Sequence, residues 1–341
     1  VIYIMSKNFL NDNNFGERDR RGHWSPFGKL SVNPPFLIPF HPLKFIFNYI
    51  KNKFTSSVML YIFWITSIVS WFFLTPSLDT MKNFEVNWIA FIFLRNLVFI
   101  LLLCGFFHLR LYTFNTQGNS FKYNPKPLDK NNSNFFFRNQ LTDNIFYTLC
   151  WGVPIWTAYE IITLWAFANN LIHYVSWEIN PIYCCLLFLF AQEIQSIHFY
   201  LTHRLLHWKP LYKYVHKVHH RNVNTGPWSG LSFHPVEHIV FFSGVLIFWI
   251  IPSNPLIVIC YLFLCAFPPI SGHSGYDKVL FKNGKSNRSG DFNHHLHHKY
   301  FECNYSGSGT SILDKIFGTF HDGSDEAHVE FREKLKNKKY L

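Results

Sequence analysis

Residues 239–267 are an apolar run that separates histidine motifs with reason to meet. His203-x-x-x-His207 and His216-x-x-His219-His220 precede it, and His294-His295-Leu296-His297-His298 follows, repeating the second pattern. Thirteen of the 19 histidines fall between His198 and His298. Packing rarely produces such crowding, because a buried neutral imidazole needs a partner for each ring nitrogen. A metal site satisfies many imidazoles at once. If the motifs share one centre, the run must return to the face it leaves. Pro252-Ser253-Asn254-Pro255 near its middle is a turn signal. Each half, about 13 residues, reaches only about 20 Å as helix. These lengths predict a re-entrant helical hairpin; a single crossing would separate the ligands.

Residues 58–74, 88–107 and 145–168 are apolar enough to span a membrane, where about 20 helical residues cross roughly 30 Å of hydrocarbon. A fourth run starts at Pro181 and turns polar at Gln192, Glu193 and Gln195. It serves as a span if its helix continues to about His207, crossing and then projecting. Arg18, Arg20, Arg21, Lys29, Lys44, Lys51 and Lys53 precede the first run, and only Lys82 lies between the first two. Arg110, Lys122, Lys126, Lys130 and Arg138 come next, while residues 173–180 contain no Lys or Arg. This alternation puts the N-terminal segment and every histidine motif on the cytoplasmic side. The expected fold is an all-α integral membrane protein. It has four transmembrane helices, the re-entrant hairpin, and a cytoplasmic helical cap with a His-rich dimetal site. The host membrane is the endoplasmic reticulum in a eukaryote or the inner membrane in a bacterium. The net charge of +11 comes from basic residues that flank apolar runs and form no stripe with stacking aromatics. A lipid surface fits them better than nucleic acid.

The seven cysteines form no CxxC pair. Cys104, Cys150, Cys184, Cys185, Cys260 and Cys265 lie in or beside apolar runs and read as small core hydrophobes, without a disulfide framework. Val1 precedes Met5 and residues 1–56 hold no signal-peptide apolar region. Either the start is unusual or residues are missing ahead of it.

On a helix, His203 and His207 share a face with Ser196 and Tyr200, so the pair can bind one metal or bracket two. HxxHH places its first histidine beside the fourth and fifth, offering three imidazoles to a pair of ions. Neutral imidazole suits iron, zinc, copper and nickel. Eight histidines exceed the needs of one tetrahedral zinc, so two metals are implied. At a membrane face the natural substrate is a lipid. Breaking an unactivated C–H bond calls for O₂ and a redox metal, for which iron is the economical choice. Electrons would come from outside, since the chain has no flavin, haem or nicotinamide motif.

HRLLH, HKVHH and HHLHHKYFECNY…LDKIFGTF resemble the sterol desaturase/fatty acid hydroxylase superfamily of membrane di-iron oxygenases, over residues 181–322. VHHRNVNTGPWSGLSFHPVEH and GHSGYDK are most similar to its sterol-desaturase-type branch. The resemblance implies that His203, His207, His216, His219, His220, His294, His297 and His298 ligate two iron ions, with His273 a further ligand. It implies O₂-dependent desaturation or hydroxylation of a sterol or related membrane lipid, fed by a cytochrome b5-type or ferredoxin-type electron donor. A fatty acyl or ceramide hydroxylase is the alternative within the superfamily. A lipid-binding relative that keeps metal without turnover, or a metal transporter, is the alternative outside it. The chain then divides into a polar basic segment (1–56), three membrane helices with their connections (57–180), a catalytic domain (181–322) and a charged tail (323–341). Relatives often carry an acidic residue seven before the first motif histidine, where this chain has Ser196.

His234 and His238 lie four apart in FHPVEH and are candidates for additional metal or supporting roles, although Pro235 disturbs a helix there. His295 fills a variable slot and reads as supporting or exposed. His198 lies off the His203 face and reads as core. His23, His41, His108, His173, His321 and His328 read as structural or solvated. Arg95 and Glu160 inside spans are functional candidates by their depth, Arg95 alternatively reaching a headgroup.

Overall fold

A computed structural model describes residues 11–30, 58–281, 283–307 and 311–338, together with 41–44, 47 and 51. The apolar runs become helices α1 (Val58–Phe73), α2 (Val86–Thr113), α3 (Gln140–Ala168) and α4 (Pro181–Leu206). Pro181 opens α4 at a position whose N–H would have no helical partner anyway. A wide turn, Thr148–Gly152, interrupts α3 just ahead of Pro154, whose ring cannot accept the ordinary i−4 geometry. A short helical stretch, α5 (residues 209–220), leads to α6 (Pro235–Phe242), which continues as 3-10 turns over Ser243–Trp249. After α7 (Pro255–Gly272) come α8 (Phe292–Tyr300), α9 (Ile312–Ile316) and α10 (Asp325–Lys338). The fold is mostly helical, not purely so. β1 (Gly16–Arg18) pairs with β2 (Trp24–Pro26), and β3 (Lys278–Leu280) with β4 (Ser286–Arg288), both antiparallel.

Among the described residues, four helices are long and apolar enough to cross a membrane: α2, α3, α4 and α7. The expected first span is a different case. Its described portion, the 16 residues of α1, extends about 24 Å, and the residues just before Val58 lie outside the described ones. Large apolar side chains point outward from α2 (Phe91, Leu94, Leu102) and α4 (Ile182, Leu186, Leu201), a surface suited to lipid.

α7 is the central element. It is buried on every side, from Leu256 through Phe267, by α1, α3, α4 and α6. A helix that is apolar all round requires such an enclosure. With α6 it forms a helical hairpin, whose turn lies beside the connection between α3 and α4. Ser253 donates its N–H to His173 O (3.0 Å) and accepts from Val175 N (2.8 Å). The two outer ends of the hairpin both lie at the histidine end of α4. The arms are longer than the sequence suggests. α7 starts immediately after its N-cap Asn254, whose side chain accepts from Leu256 N (3.0 Å), and continues through Pro268 and Pro269. Its 18 residues extend about 27 Å, so the hairpin runs the depth of the bundle rather than dipping partway.

Arg95 turns inward instead of toward a headgroup. It pairs with Glu160 of α3, while Asn96 donates to the other Glu160 oxygen (2.9 Å). Arg95 also donates to Thr75 Oγ1 (2.9 Å), which ties the exit of α1 to α2 and α3. All seven cysteines are free thiols.

Candidate metal centre

Four elements meet at the histidine end of the bundle. α4 carries His203 in its last turn and is capped by His207. α5 carries His216, His219 and His220; His273 caps α7; α8 carries His294, His297 and His298. These nine side chains form two groups, His203–His207–His216–His220–His297 and His219–His273–His294–His298. Within each, one ring nitrogen per residue lies within 4.8 Å of all the others. Each HxxHH contributes to both groups, and the groups touch, with the His220 and His298 ring centroids 4.9 Å apart.

The nitrogen separations are chemically informative. His207 Nε2 is 3.1 Å from both His216 Nε2 and His220 Nε2, and His297 Nε2 is 3.0 Å from His220 Nε2. In the second group, the Nε2 atoms of His273, His294 and His298 are 3.0–3.2 Å apart. Four rings use their other nitrogen elsewhere. The Nδ1–H of His203 donates to Tyr305 O (2.8 Å), that of His273 to Pro269 O (2.7 Å), and that of His297 to Cys303 O (2.6 Å). The Nδ1–H of His216 donates to Glu237 Oε1 (2.8 Å). A neutral imidazole has only one N–H, so these four direct an Nε2 lone pair inward. Whichever tautomers His207, His220, His294 and His298 adopt, hydrogen bonds cannot satisfy all of these close contacts, whereas a cation between the lone pairs satisfies them together. Two nitrogens about 2.2 Å from one ion and at right angles are about 3.1 Å apart, whereas tetrahedral placement gives about 3.6 Å. The buried His203 Nε2 has no hydrogen-bond partner among the described residues. The residues therefore fit two metal ions with several nitrogen ligands each.

Burial holds the rings in the neutral, metal-binding form. It lowers the pKa of His216, His219, His220, His294, His297 and His298 well below the usual imidazole value, with neighbouring imidazoles adding to the effect. His273 is lowered to about 4, again mainly by burial.

Some supporting residues escaped the sequence reading. Glu237, between His234 and His238, orients His216. Its signal was available: it is the only charged residue in the hairpin 235–272, where an acid requires a reason. Asp314, from LDKIFGTF, is buried and accepts from Tyr305 N (2.9 Å), Ser306 N (2.9 Å) and Thr319 Oγ1 (2.7 Å). It thereby fixes the loop whose carbonyls orient His203 and His297.

His234 and His238 join neither group. His234 caps α6, accepting at Nδ1 from Val236 N (3.2 Å), while His238 packs against the Phe233 ring (5.1 Å) and Gly152. Pro235 starts the helix between them, so the cap faces away from the buried side that carries Glu237. His295 stacks on Tyr123 (4.5 Å) and His198 contacts Ser243 Oγ (3.3 Å). His321 stacks on Tyr300 (5.0 Å).

A cavity adjoins both groups, lined by Phe199, Leu206, Phe233, Phe241, Leu264 and Pro268 in addition to motif histidines. The mostly apolar lining suits a lipid-like ligand.

Residues 185–319, which include all nine histidines, match the fatty acid hydroxylase family model. The chain is similar to methylsterol monooxygenase 1 of Gallus gallus, 33% identical over 145 residues, 42% of this chain and 47% of that protein. It is 34% identical over 140 residues to the Delta(7)-sterol 5(6)-desaturase of Saccharomyces cerevisiae, covering 41% of this chain and 36% of that protein. The corresponding enzyme of Candida glabrata is 36% identical over 149 residues, 42% of this chain and 37% of that protein. The chain spans about half the length, or less, of these curated relatives. No solved structure matches it. The match to the fatty acid hydroxylase family thus covers the stretch that holds the metal-centre histidines, and the relatives it brings are a methylsterol monooxygenase and two Delta(7)-sterol 5(6)-desaturases.

Proposed function

We propose that this protein is a membrane-bound di-iron oxidoreductase that uses O₂ to hydroxylate or desaturate a sterol or related lipid. The observation that carries this reading is the pair of histidine groups adjoining an apolar cavity. His203, His207, His216, His220 and His297 would hold one iron; His219, His273, His294 and His298 would hold the other. Iron, when bound, supplies the redox chemistry needed to activate O₂ against an unactivated C–H bond. The nine neutral rings provide its ligands, Glu237 and the carbonyls of Cys303, Pro269 and Tyr305 fix four of them in orientation, and the phenylalanine-lined cavity excludes water. Hydroxylation consumes one C–H, O₂, two electrons and two protons, giving C–OH and one water. Desaturation consumes two C–H bonds with the same O₂, electrons and protons, giving C=C and two waters.

The electrons would come from a cytochrome b5-type or ferredoxin-type donor. The histidine end of the bundle faces the cytoplasm in this proposal, with the hairpin 235–272 entering and leaving from that side. The names of the relatives favour a sterol over a fatty acyl or ceramide substrate. The test is iron content per chain in detergent-purified protein, followed by lipid products with and without O₂. About two irons per chain, from the two groups, and an O₂-dependent sterol product are expected. A folded, monodisperse protein without metal would overturn the proposal. Metal without any oxidised lipid would favour a lipid-binding role.

A further inference from the structure

A second cavity of about 370 Å³ adjoins the first and shares Gln195, Leu264, Pro268, Gly272, Asp291 and Gly307 with it. Met59, Leu60 and Phe63 of α1 form an apolar wall, and Ser289 and Asn293 belong to a polar one. Two polar atoms on this wall, Ser289 Oγ and Asn293 Oδ1, are buried with no hydrogen-bond partner among the described residues. The two residues are 8% and 7% exposed. Both are held in place. Asn293 donates through Nδ2 to Gly307 O (2.7 Å), which leaves Oδ1, an atom that can only accept. Ser289 donates its backbone N–H to Asp277 O (3.1 Å), and the neighbouring Gly290 lies so close to the Tyr276 carbonyl that a Cβ would not fit. Buried polar atoms left without partners in a fixed frame are costly unless a ligand or ordered water completes them. The wall also carries Arg288 and Asp291, one charge of each sign. This arrangement favours a neutral partner over an anionic head.

We propose that the second cavity takes the hydroxyl end of a neutral lipid alcohol, which donates to Asn293 Oδ1 and accepts from the Ser289 hydroxyl. The inference rests on the proposed lipid-oxidising function and adds to it the orientation of the substrate. Asn293 directly precedes His294 on the chain, and consecutive Cα atoms are about 3.8 Å apart. A lipid anchored there extends past the residues the two cavities share, and its apolar remainder reaches the phenylalanine-lined cavity beside the histidine groups.

The test uses the full-length, iron-loaded protein in nanodiscs and two probes, a fluorescent 3-hydroxysterol and its 3-methyl ether. Wild type is expected to prefer the alcohol. Asn293→Ala should weaken binding of the alcohol about fivefold, the effect of one hydrogen bond, and leave the ether unchanged, whereas Ser289→Ala should weaken both probes, because an ether oxygen still accepts from the Ser289 hydroxyl. Iron content, measured in parallel, should stay at the wild-type level in Ser289→Ala. Equal binding of both probes by wild type and variants would overturn the hydroxyl subsite alone, assigning the two atoms to water. Failure of wild type to bind either sterol would overturn the sterol reading of function along with it.

Discussion

Replacing Glu237 tests whether the histidine groups are tuned from outside. Its Oε1 accepts from His216 Nδ1 at 2.8 Å, and the two side chains are only 3% and 1% exposed. In Glu237→Ala, His216 loses the acceptor that fixes its tautomer and keeps a buried N–H without a partner, at a cost of about 1–3 kcal/mol. Groups that orient a metal-bound imidazole typically contribute about 10- to 100-fold in metal affinity, or about 1.4–2.7 kcal/mol. The two estimates agree. Glu237→Ala should therefore release one iron per chain to a chelator at about 10- to 100-fold lower chelator activity than wild type. The second iron, held by the four-ring group that Glu237 does not touch, should resist as before. Glu237→Gln retains a neutral acceptor and should lose less than about tenfold. Chelator titration with iron release followed by absorbance reads both steps. If Glu237→Ala released its iron like wild type, or lost both irons together, the assignment of Glu237 to a single group would be wrong.

Other substitutions test separate parts of the site. His219→Ala should lower iron content and abolish turnover while the protein still fractionates with membranes; full activity would remove its ligand role. Asp314→Ala deletes three hydrogen bonds, each contributing about 1 kcal/mol. Its iron loss should begin at the group containing His203 and His297, and uniform loss from both groups would contradict the loop's orienting role. Gly230→Ala would drive a Cβ into the Pro269 carbonyl of α7. Overpacking of this kind costs about 1–3 kcal/mol, so the melting temperature should fall, and an unchanged value would mean that the contact yields easily.

The histidine positions were legible because helical spacing is a local property: residues three and four apart share a face whatever the remainder of the chain does. The return of the hairpin was legible as well, since Pro252-Ser253-Asn254-Pro255 marks its turn. The depth of the hairpin was not. The apolar run ends at residue 267, yet α7 continues through Pro268 and Pro269 to Gly272, where His273 caps it. Glu237 and Asp314 were missed because a hydrogen bond between elements leaves no periodic trace. The chain separation of Glu237 from His216 is 21 residues and that of Asp314 from Tyr305 is nine. His234 and His238 have the motif spacing, but Pro235 makes the first a cap and leaves the second to face Phe233 and Gly152.

Arg95 and Glu160, conspicuous in sequence for their depth, find their explanation in the way α5 is held. α5 is short and includes a widened turn at Tyr212–His216, and helices of this length are marginal on their own. Three motif imidazoles nevertheless depend on it. The residues just after HKVHH grip α3: Arg221 pairs with Asp143, and Asn222 Oδ1 accepts from Gln140 Nε2 (3.0 Å) and Asn144 Nδ2 (2.9 Å). Asn222 in turn donates to the His219 carbonyl (3.1 Å), closing the connection to the motif itself. α3 can anchor α5 only if α3 is itself immobile, and the Glu160 contacts with Arg95 and Asn96 lock it against α2 deeper in the bundle. The charges within the helices therefore act through the frame. They set the register of α3, and α3 sets the position of His216, His219 and His220.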